Sequence, residues 1–488
     1  MEVGDLIATP LKIYDQICHA NTDKSFHGEV QKVINDYSSK VPLYGCTALD
    51  RIPDGHLVRI IGMVQDMFNS ELYMDTYRLS TNDETIRSFR YRDYSDFQVY
   101  DGAQTQFKIN DIVEIYGILE HARLCAALPE DCCEPEEKCQ EPLPRIHAVI
   151  VKQLMHNNPL ICEISAPLVS SQCGEIQSIR AKLINLLTTL FYGDEIVAEY
   201  VLLHLVSTRL STDSPYPCHL PAINIHCGNR IASKPNSTDD SSYDIQKQSL
   251  LKLYSHLHRF LPQLVTHLAT IELTVKSLND GPCLIPIRDM AKGHLNPGRL
   301  QLPKGTEILV NEIEMDSGQL QPKGLLNFQA LSSVAIHQRL SYDFQFYKQE
   351  WDTDVRVLIL SVVPSLIKSV LSLPWQPQTL NADDNMCLLE NSISESEWND
   401  MRKYLTILAY SNITYSMDAE LQERINQDFV QWRRDKSTFI ESDEFAVMLC
   451  LLRFYCLTYG HQSPTLEHWL HIVDLEKKRK SRTTASGK

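Results

Sequence analysis

From Ile176 onward the hydrophobic period of this chain changes to a helical one. Over residues 56–120 and 145–154 apolar residues run in short alternating or continuous stretches, as in β-strands. After Ile176 they recur every three or four positions, the spacing that lines one face of a helix. Ile176, Ile179, Leu183, Leu186, Leu187 and Leu190 form the first such stripe. At 488 residues the chain is also too long for a single core, so two or three domains are expected.

Within residues 1–45, Leu6, Ile7, Leu11, Ile13, Tyr14 and Ile17, then Val30, Val33, Ile34 and Tyr37, predict short helices, with Pro42 as the exit. Strand candidates follow at 57–65, 71–79, 86–92, 97–100 and 112–119, punctuated by Gly62, Gly102 and Gly117, and resume at 145–154. Five or six short strands in about a hundred residues fit a small OB-type barrel better than a βαβ unit. Residues 128–144 are rich in acids, prolines and cysteines; they cannot bury a core and predict a mobile loop interrupting the barrel.

Beyond Ile176, Asp194 is a candidate helix N-cap, and 196–210 is apolar almost all round, as suits a helix inside a domain. Strand-like runs at 222–226, 270–275, 307–310 and 355–360 alternate with helical stretches such as 249–264, which reads as an α/β sheet. The region 394–476 predicts helices at 398–410, 419–435 and 442–459, and a shorter one around Trp469.

Net charge is −16, and residues 477–488 carry six Lys/Arg and no acid, so the remainder stands at −22. Such a body repels a phosphate backbone, and any attraction to DNA is local or passes through a basic partner. No apolar run reaches the roughly 18 residues of a membrane span. The first residues lack the basic and apolar regions of a signal peptide, and the 14 cysteines include no Cys-x-x-Cys pair. An intracellular protein with reduced thiols is expected.

Several segments together resemble the eukaryotic MCM-binding protein family, nuclear partners of the minichromosome maintenance helicase subunits. They are residues 58–68 followed by Glu71-Leu72-Tyr73-Met74, residues 107–119, and residues 144–152 leading to Asn158-Pro159-Leu160. Arg180-Ala181-Lys182-Leu183, Gly193-Asp194, residues 198–205, Gly305-Thr306, Gly318-Gln319-Leu320, Tyr342-Asp343-Phe344 and Trp469 extend the similarity over nearly the whole chain. One departure is the short link from Arg92 to Phe107, where the family often carries a long polar insertion.

The resemblance implies an α+β multidomain fold. A helical segment (1–45) precedes an OB-like β-barrel domain (46–160) with its acidic loop. A degenerate AAA-like α/β domain without a P-loop (165–390) follows, then a C-terminal helical lid (391–476) and a disordered basic tail (477–488). It also implies a non-enzymatic nuclear protein that associates with MCM subunits. Chaperoning of those subunits, unloading of the complex from chromatin in S phase, and support of DNA replication and sister-chromatid cohesion are the implied roles. Chromatin contact is then indirect, with no membrane partner.

An AAA-like fold raises the question of ATP hydrolysis, which needs a Gly-rich loop, a Lys for the phosphates and a Ser/Thr for magnesium. The only Gly-Lys pair is Gly487-Lys488, and strand 222–226 runs into Cys227-Gly228-Asn229-Arg230-Ile231 with no Lys-Ser/Thr after it. At 307–312 the metal-binding Asp is replaced by Asn311, leaving Glu312. No catalytic residue or cofactor is expected.

Cys218-His219 and His226-Cys227 suggest zinc, but a strand rising about 3.3 Å per residue sets the pairs on the order of 23 Å apart. Zinc holds its ligands at roughly 2.0–2.3 Å. Cys132, Cys133 and Cys139 with His147 lack metal-ligand spacing, and no metal site is expected. His204, on an apolar helix, reads as a hydrogen-bonded core histidine.

Two groups remain as functional candidates. Lys477, Lys478, Arg479, Lys480 and Arg482 form a compact basic cluster suited to nuclear-import recognition, or else a solvated tail. Asp66, Met67, Phe68, Tyr73 and Met74 are candidates for partner binding, or else barrel packing. The alternative function is a single-strand nucleic-acid binder using Arg90, Tyr91, Arg92 and Tyr94, against which the interleaved Asp93 and Asp96 argue.

Overall fold

A computed structural model of the chain describes residues 7–10, 32, 34, 36–37, 40–43, 52–67, 76–77, 87–88, 107–120, 144–161, 173–208, 219–228, 240–291, 294–378, 392–410, 415–435 and 440–485. The chain divides into two compact units, Met1–Met155 and His156–Lys488.

In the first unit, β1 (Leu57–Met63), β4 (Ile112–Glu120) and β5 (Arg145–Leu154) form an antiparallel sheet in the order β1-β4-β5. A small ribbon pairs β2 (Thr76–Tyr77) with β3 (Arg87–Ser88). Leu57 faces Ile118 and Met63 faces Ile112, and β4, the middle strand, is buried along nearly its whole length. The β4–β5 register shifts between Tyr116 and Gly117. A Cβ at Gly117 would lie 2.7 Å from the His147 carbonyl oxygen, so this bulge admits only glycine. Arg59 Nε, 2.5 Å from Glu114 Oε1, ties β1 to β4. The expected strand at 97–100 and loop 128–144 lie outside the described residues.

The second unit opens with α1 (Cys173–Leu190), α2 (Glu195–Leu205), β6 (Ala222–His226), α3 (Asp240–Leu264), β7 (Leu268–Glu272) and α4 (Val275–Asp280). Next come β8 (Ile287–Asp289), β9 (His294–Asn296), β10 (Glu307–Asn311), α5 (Pro322–His337), β11 (Arg339–Asp343), β12 (Lys348–Asp352), β13 (Arg356–Ser361) and β14 (Leu371–Pro374). Four helices close it: α6 (Glu395–Tyr410), α7 (Ala419–Arg434), α8 (Ser442–Thr458) and α9 (Leu466–Ala485). The main sheet is all parallel, ordered β14-β6-β13-β10-β7. Every residue of β6, β10 and β13 is buried, as layers on both faces require. A second sheet runs β12-β11-β8-β9.

The helices after residue 391 share one continuous core with the sheet and with α1 to α3, through Trp398, Met401, Leu451, Trp469 and Ile472. The α2 cap forms as the sequence suggests. Gly193 takes a left-handed turn (φ +87°). Asp194 Oδ1 then accepts from the Ile196 and Val197 amides at 3.1 and 3.2 Å.

Several expectations shift. Val275, read as strand, starts α4 because Thr274 and Ser277 form a reciprocal capping box. The second sheet is absent from the sequence reading because β8 and β9 have three residues each and β12 is a charged edge strand with no apolar alternation. The tail beginning at 477 is not disordered over its described length, since α9 continues to Ala485. The stripe of Trp469, Ile472, Val473 and Glu476 is extended at helical spacing by Arg479 and Arg482, whose sides face the body.

A charged network lies at the centre of the second unit. Glu307, fully buried, accepts from His204 Nε2 and Arg356 Nε, each at 3.0 Å. His204 Nδ1 donates to the Leu220 carbonyl at 2.8 Å, and Arg356 also donates to the Gly305 carbonyl at 2.8 Å. Burial pushes the Glu307 carboxyl up, but His204 and then Arg356 reverse that and hold it below the ordinary glutamate value. The network joins α2 to two neighbouring strands.

Glu307→Gln is expected to lower stability by about 3–5 kcal/mol, because Arg356 stays buried without its counter-ion. All five tryptophans lie beyond residue 350, so the urea midpoint by tryptophan fluorescence reads this unit. Since the folded carboxyl titrates below its unfolded value of 4.5, its contribution is complete above that pH and is lost as pH falls further.

Candidate functional site

In an open parallel sheet, ligands bind beyond the carboxyl ends of the strands where the strand order reverses. Here the first strand, β6, is flanked by β13 and β14, and the ends of β7, β10, β13 and β6 lie in register at Glu272, Asn311, Leu360–Ser361 and His226.

The polar groups at these ends bond to one another and to the loop after β13. Asn311 Nδ2 donates to Glu272 Oε2 at 2.6 Å, and Tyr254 donates to Glu272 Oε1 at 2.6 Å. Asn224 Nδ2 donates to Ser361 Oγ at 2.7 Å, while its Oδ1 accepts from the Ser365 amide at 3.1 Å. Glu312 accepts from the Ser365 hydroxyl and, at 2.9 Å, from the Leu366 amide. Burial raises the Glu312 carboxyl above its ordinary value despite both bonds. Two side chains on separate strands thus grip one loop and leave Val363 and Leu366 exposed.

Asn311 stands where a magnesium-binding Asp would be needed. A carboxylate there would face Glu272, so the amide donor is what the local geometry requires.

The His226-Cys227 pair is likewise occupied. His226 Nδ1 accepts from the Gly228 amide at 3.0 Å, which places the proton on Nε2, donating to Ser372 Oγ at 2.8 Å. Burial lowers the imidazole pKa to about 4 and raises the Cys227 thiol to about 12. Cys218 and the Cys132/Cys133/Cys139 loop lie outside the described residues.

Of the partner candidates, Asp66 and Met67 follow β1. Asp66 Oδ1 accepts from the Met67 amide at 2.9 Å, and the Met67 side chain is 48% exposed. Phe68, Tyr73 and Met74 lie outside the described residues, as do Arg90, Tyr91, Arg92 and Tyr94. The basic cluster sits on the last turns of α9, where Lys477 and Lys478 are exposed while Arg479 and Arg482 are only 12% and 14% exposed at the side chain.

A further surface escaped the sequence reading. The β11–β12 turn presents Phe346 at 83% and Tyr347 at 59% exposure. Its shape is fixed by Gln345 in the left-handed region (φ +66°), by Gln345 Nε2 donating to the Arg288 carbonyl at 2.9 Å, and by Phe344 stacked on Tyr347 at 5.0 Å. Three aromatics in four residues, between a strand and a charged run, was the available signal.

The second unit is a mixed α/β fold whose described sheet-end side chains bond to their own chain. A family model described as "Mini-chromosome maintenance replisome factor" matches residues 30–98 and 97–483. The chain belongs to that family. It is similar to the mini-chromosome maintenance complex-binding protein of Mus musculus, with 30% identity over 403 residues, or 77% of this chain and 59% of that protein. The proteins of the same name from Gallus gallus and Arabidopsis thaliana are each 29% identical, over 79% of this chain and 61% and 62% of their own lengths. The chain therefore spans about three fifths of the length of these relatives.

Asn311→Asp is expected to destabilise the second unit by about 1–3 kcal/mol, since it removes a donor and sets two carboxylates together. The loss in urea midpoint should be larger at pH 8 than at pH 5, where one carboxyl can take a proton. An unchanged midpoint at both pH values would contradict the assigned bond.

Proposed function

We propose that the chain is a non-enzymatic nuclear factor that binds subunits of the MCM replicative helicase. It shields unassembled subunits or helps release the complex from chromatin in S phase, and so supports replication and sister-chromatid cohesion. The observation that carries the non-enzymatic part is the self-bonded sheet end. Glu312, the residue nearest in position to a hydrolytic carboxylate, is engaged by its own chain's Ser365 and Leu366.

The partner rests on family membership and on the name of the relatives. An all-parallel five-stranded sheet ordered 5-1-4-3-2 supports the AAA-like reading. The antiparallel β1-β4-β5 sheet with its bulge supports the OB-like reading of the first unit. A module similar in fold to ring subunits imitates the surfaces through which those subunits meet, without nucleotide-driven closure. The preformed aromatic turn at Phe346–Tyr347 and the exposed Met67 are the anchors of suitable chemistry. The alternative, a single-strand nucleic-acid binder, is opposed by the acidic body.

Affinity capture with the full chain from nuclear extract is expected to retain helicase subunits after nuclease treatment and without ATP. Loss on nuclease treatment would favour the nucleic-acid reading. Replacing Phe346 and Tyr347 by Ser is expected to weaken capture by roughly 30-fold or more, as for a pair of anchor residues. The same replacements should lower stability by no more than about 1.5 kcal/mol, because Phe346 is solvent-facing and Tyr347 gives up only its stack on Phe344. Capture undiminished by the double substitution would remove this turn from the interface.

A further inference from the structure

Residues 477–482 have the composition of an import signal, yet in the folded chain they form part of a packed helix. Armadillo-repeat import receptors take such runs as extended peptides along a concave groove, with successive Lys and Arg in acidic subsites. The closed geometry opposes that in two ways. In a helix, consecutive side chains turn by about 100°, so no groove meets four in a row. The two arginines are also already committed.

Arg479 Nη2 is 2.8 Å from Glu476 and its Nη1 donates to the Ser372 carbonyl at 3.3 Å. Arg482 Nη1 donates to Asp194 Oδ2 at 2.7 Å and to the Pro374 carbonyl at 3.2 Å. Lys480 Nζ lies 2.9 Å from Glu444, and Lys478 pairs with Asp474 at 2.7 Å. Glu476 and Asp194 are themselves buried.

We infer that residues 477–482 are a shared surface. Closed, they latch the end of α9 onto β14 and the start of α2. Detached, they become a linear docking segment for a receptor with acidic subsites for an extended Lys/Arg peptide. The signal is therefore readable only when the end of the helix lets go. This rests on the nuclear localisation proposed above.

The helix is built for such partial release. Its apolar anchors, Trp469, Ile472, Val473 and Leu475, all precede Glu476. From Lys477 to Thr483 the hold consists of hydrogen bonds and ion pairs, which salt screens and competing charges displace. The last two turns can open while the rest of α9 stays packed.

The test measures binding of a purified armadillo-repeat import adaptor to three ligands: a synthetic peptide of residues 474–488, the full chain, and the full chain carrying Asp194→Asn with Glu444→Gln. Asparagine keeps the Oδ1 cap of α2 but loses the acceptor for the Gln376 amide, so the variant is compared at unchanged circular dichroism and urea midpoint. The peptide should bind at least tenfold more tightly than the full chain, and the double variant should recover at least threefold.

Independently of any variant, raising salt from about 50 to about 300 mM should speed tryptic cleavage within 477–482 of the native chain, with unchanged circular dichroism. Full chain and peptide binding equally would overturn the latch while sparing the import reading, as would cleavage insensitive to salt. A peptide that fails to bind the adaptor, or binds duplex DNA in its place, would overturn the import reading and the inference with it.

Discussion

A polar group buried at the end of a strand must find a partner, and in this protein the partners come from the chain itself. Asn311 and Glu312 sit at the carboxyl end of β10, the side of a parallel sheet where ligands bind, and Asn224 lies buried in the middle of β6. Each is satisfied internally: Asn224 and Glu312 by the loop at Ser365 and Leu366, Asn311 by Glu272. An unmatched buried amide or carboxylate costs a few kcal/mol. Opening this end to admit a ligand therefore means breaking several bonds together, and what remains on the outside is a splinted loop with two apolar side chains.

The same economy of charge operates around the start of α2 and the end of α9. Asp194 serves three partners at once. It caps α2, accepts from the Gln376 amide at 2.9 Å and receives Arg482 of α9. Below it, Tyr200 donates to Glu476 at 2.5 Å, and Glu476 in turn holds Arg479. An acidic body thus uses its most basic segment as internal countercharge. That is why a run of Lys and Arg, which in isolation reads as solvated, is helical here.

What was legible in the sequence follows the strength of local signals. The strand at 222–226, the Asp194 cap and the helices near 176–190 and 442–459 stand where periodicity and capping chemistry put them. His204 is a hydrogen-bonded core residue, as its apolar helix suggested. The three-residue strands and the charged β12 were not legible, because their pairing is decided by neighbours distant in sequence. That Arg479 and Arg482 are packed was not legible from composition: at three and six residues beyond Glu476 they continue the buried stripe. The sequence left Met67 open between an interface and barrel packing, and Phe346 and Tyr347 were not singled out, since a hairpin tip looks like any turn until its strands are known.

The most direct measurement is a calorimetric titration of magnesium–ATP into the full chain. A sheet end bonded to its own loop should give no saturable heat up to millimolar nucleotide, with the Leu366 amide equally protected from exchange at the start and end of the titration. Saturable binding that deprotects Leu366 and disappears in Glu312→Gln would mean that the loop yields to a nucleotide, and would contradict the account.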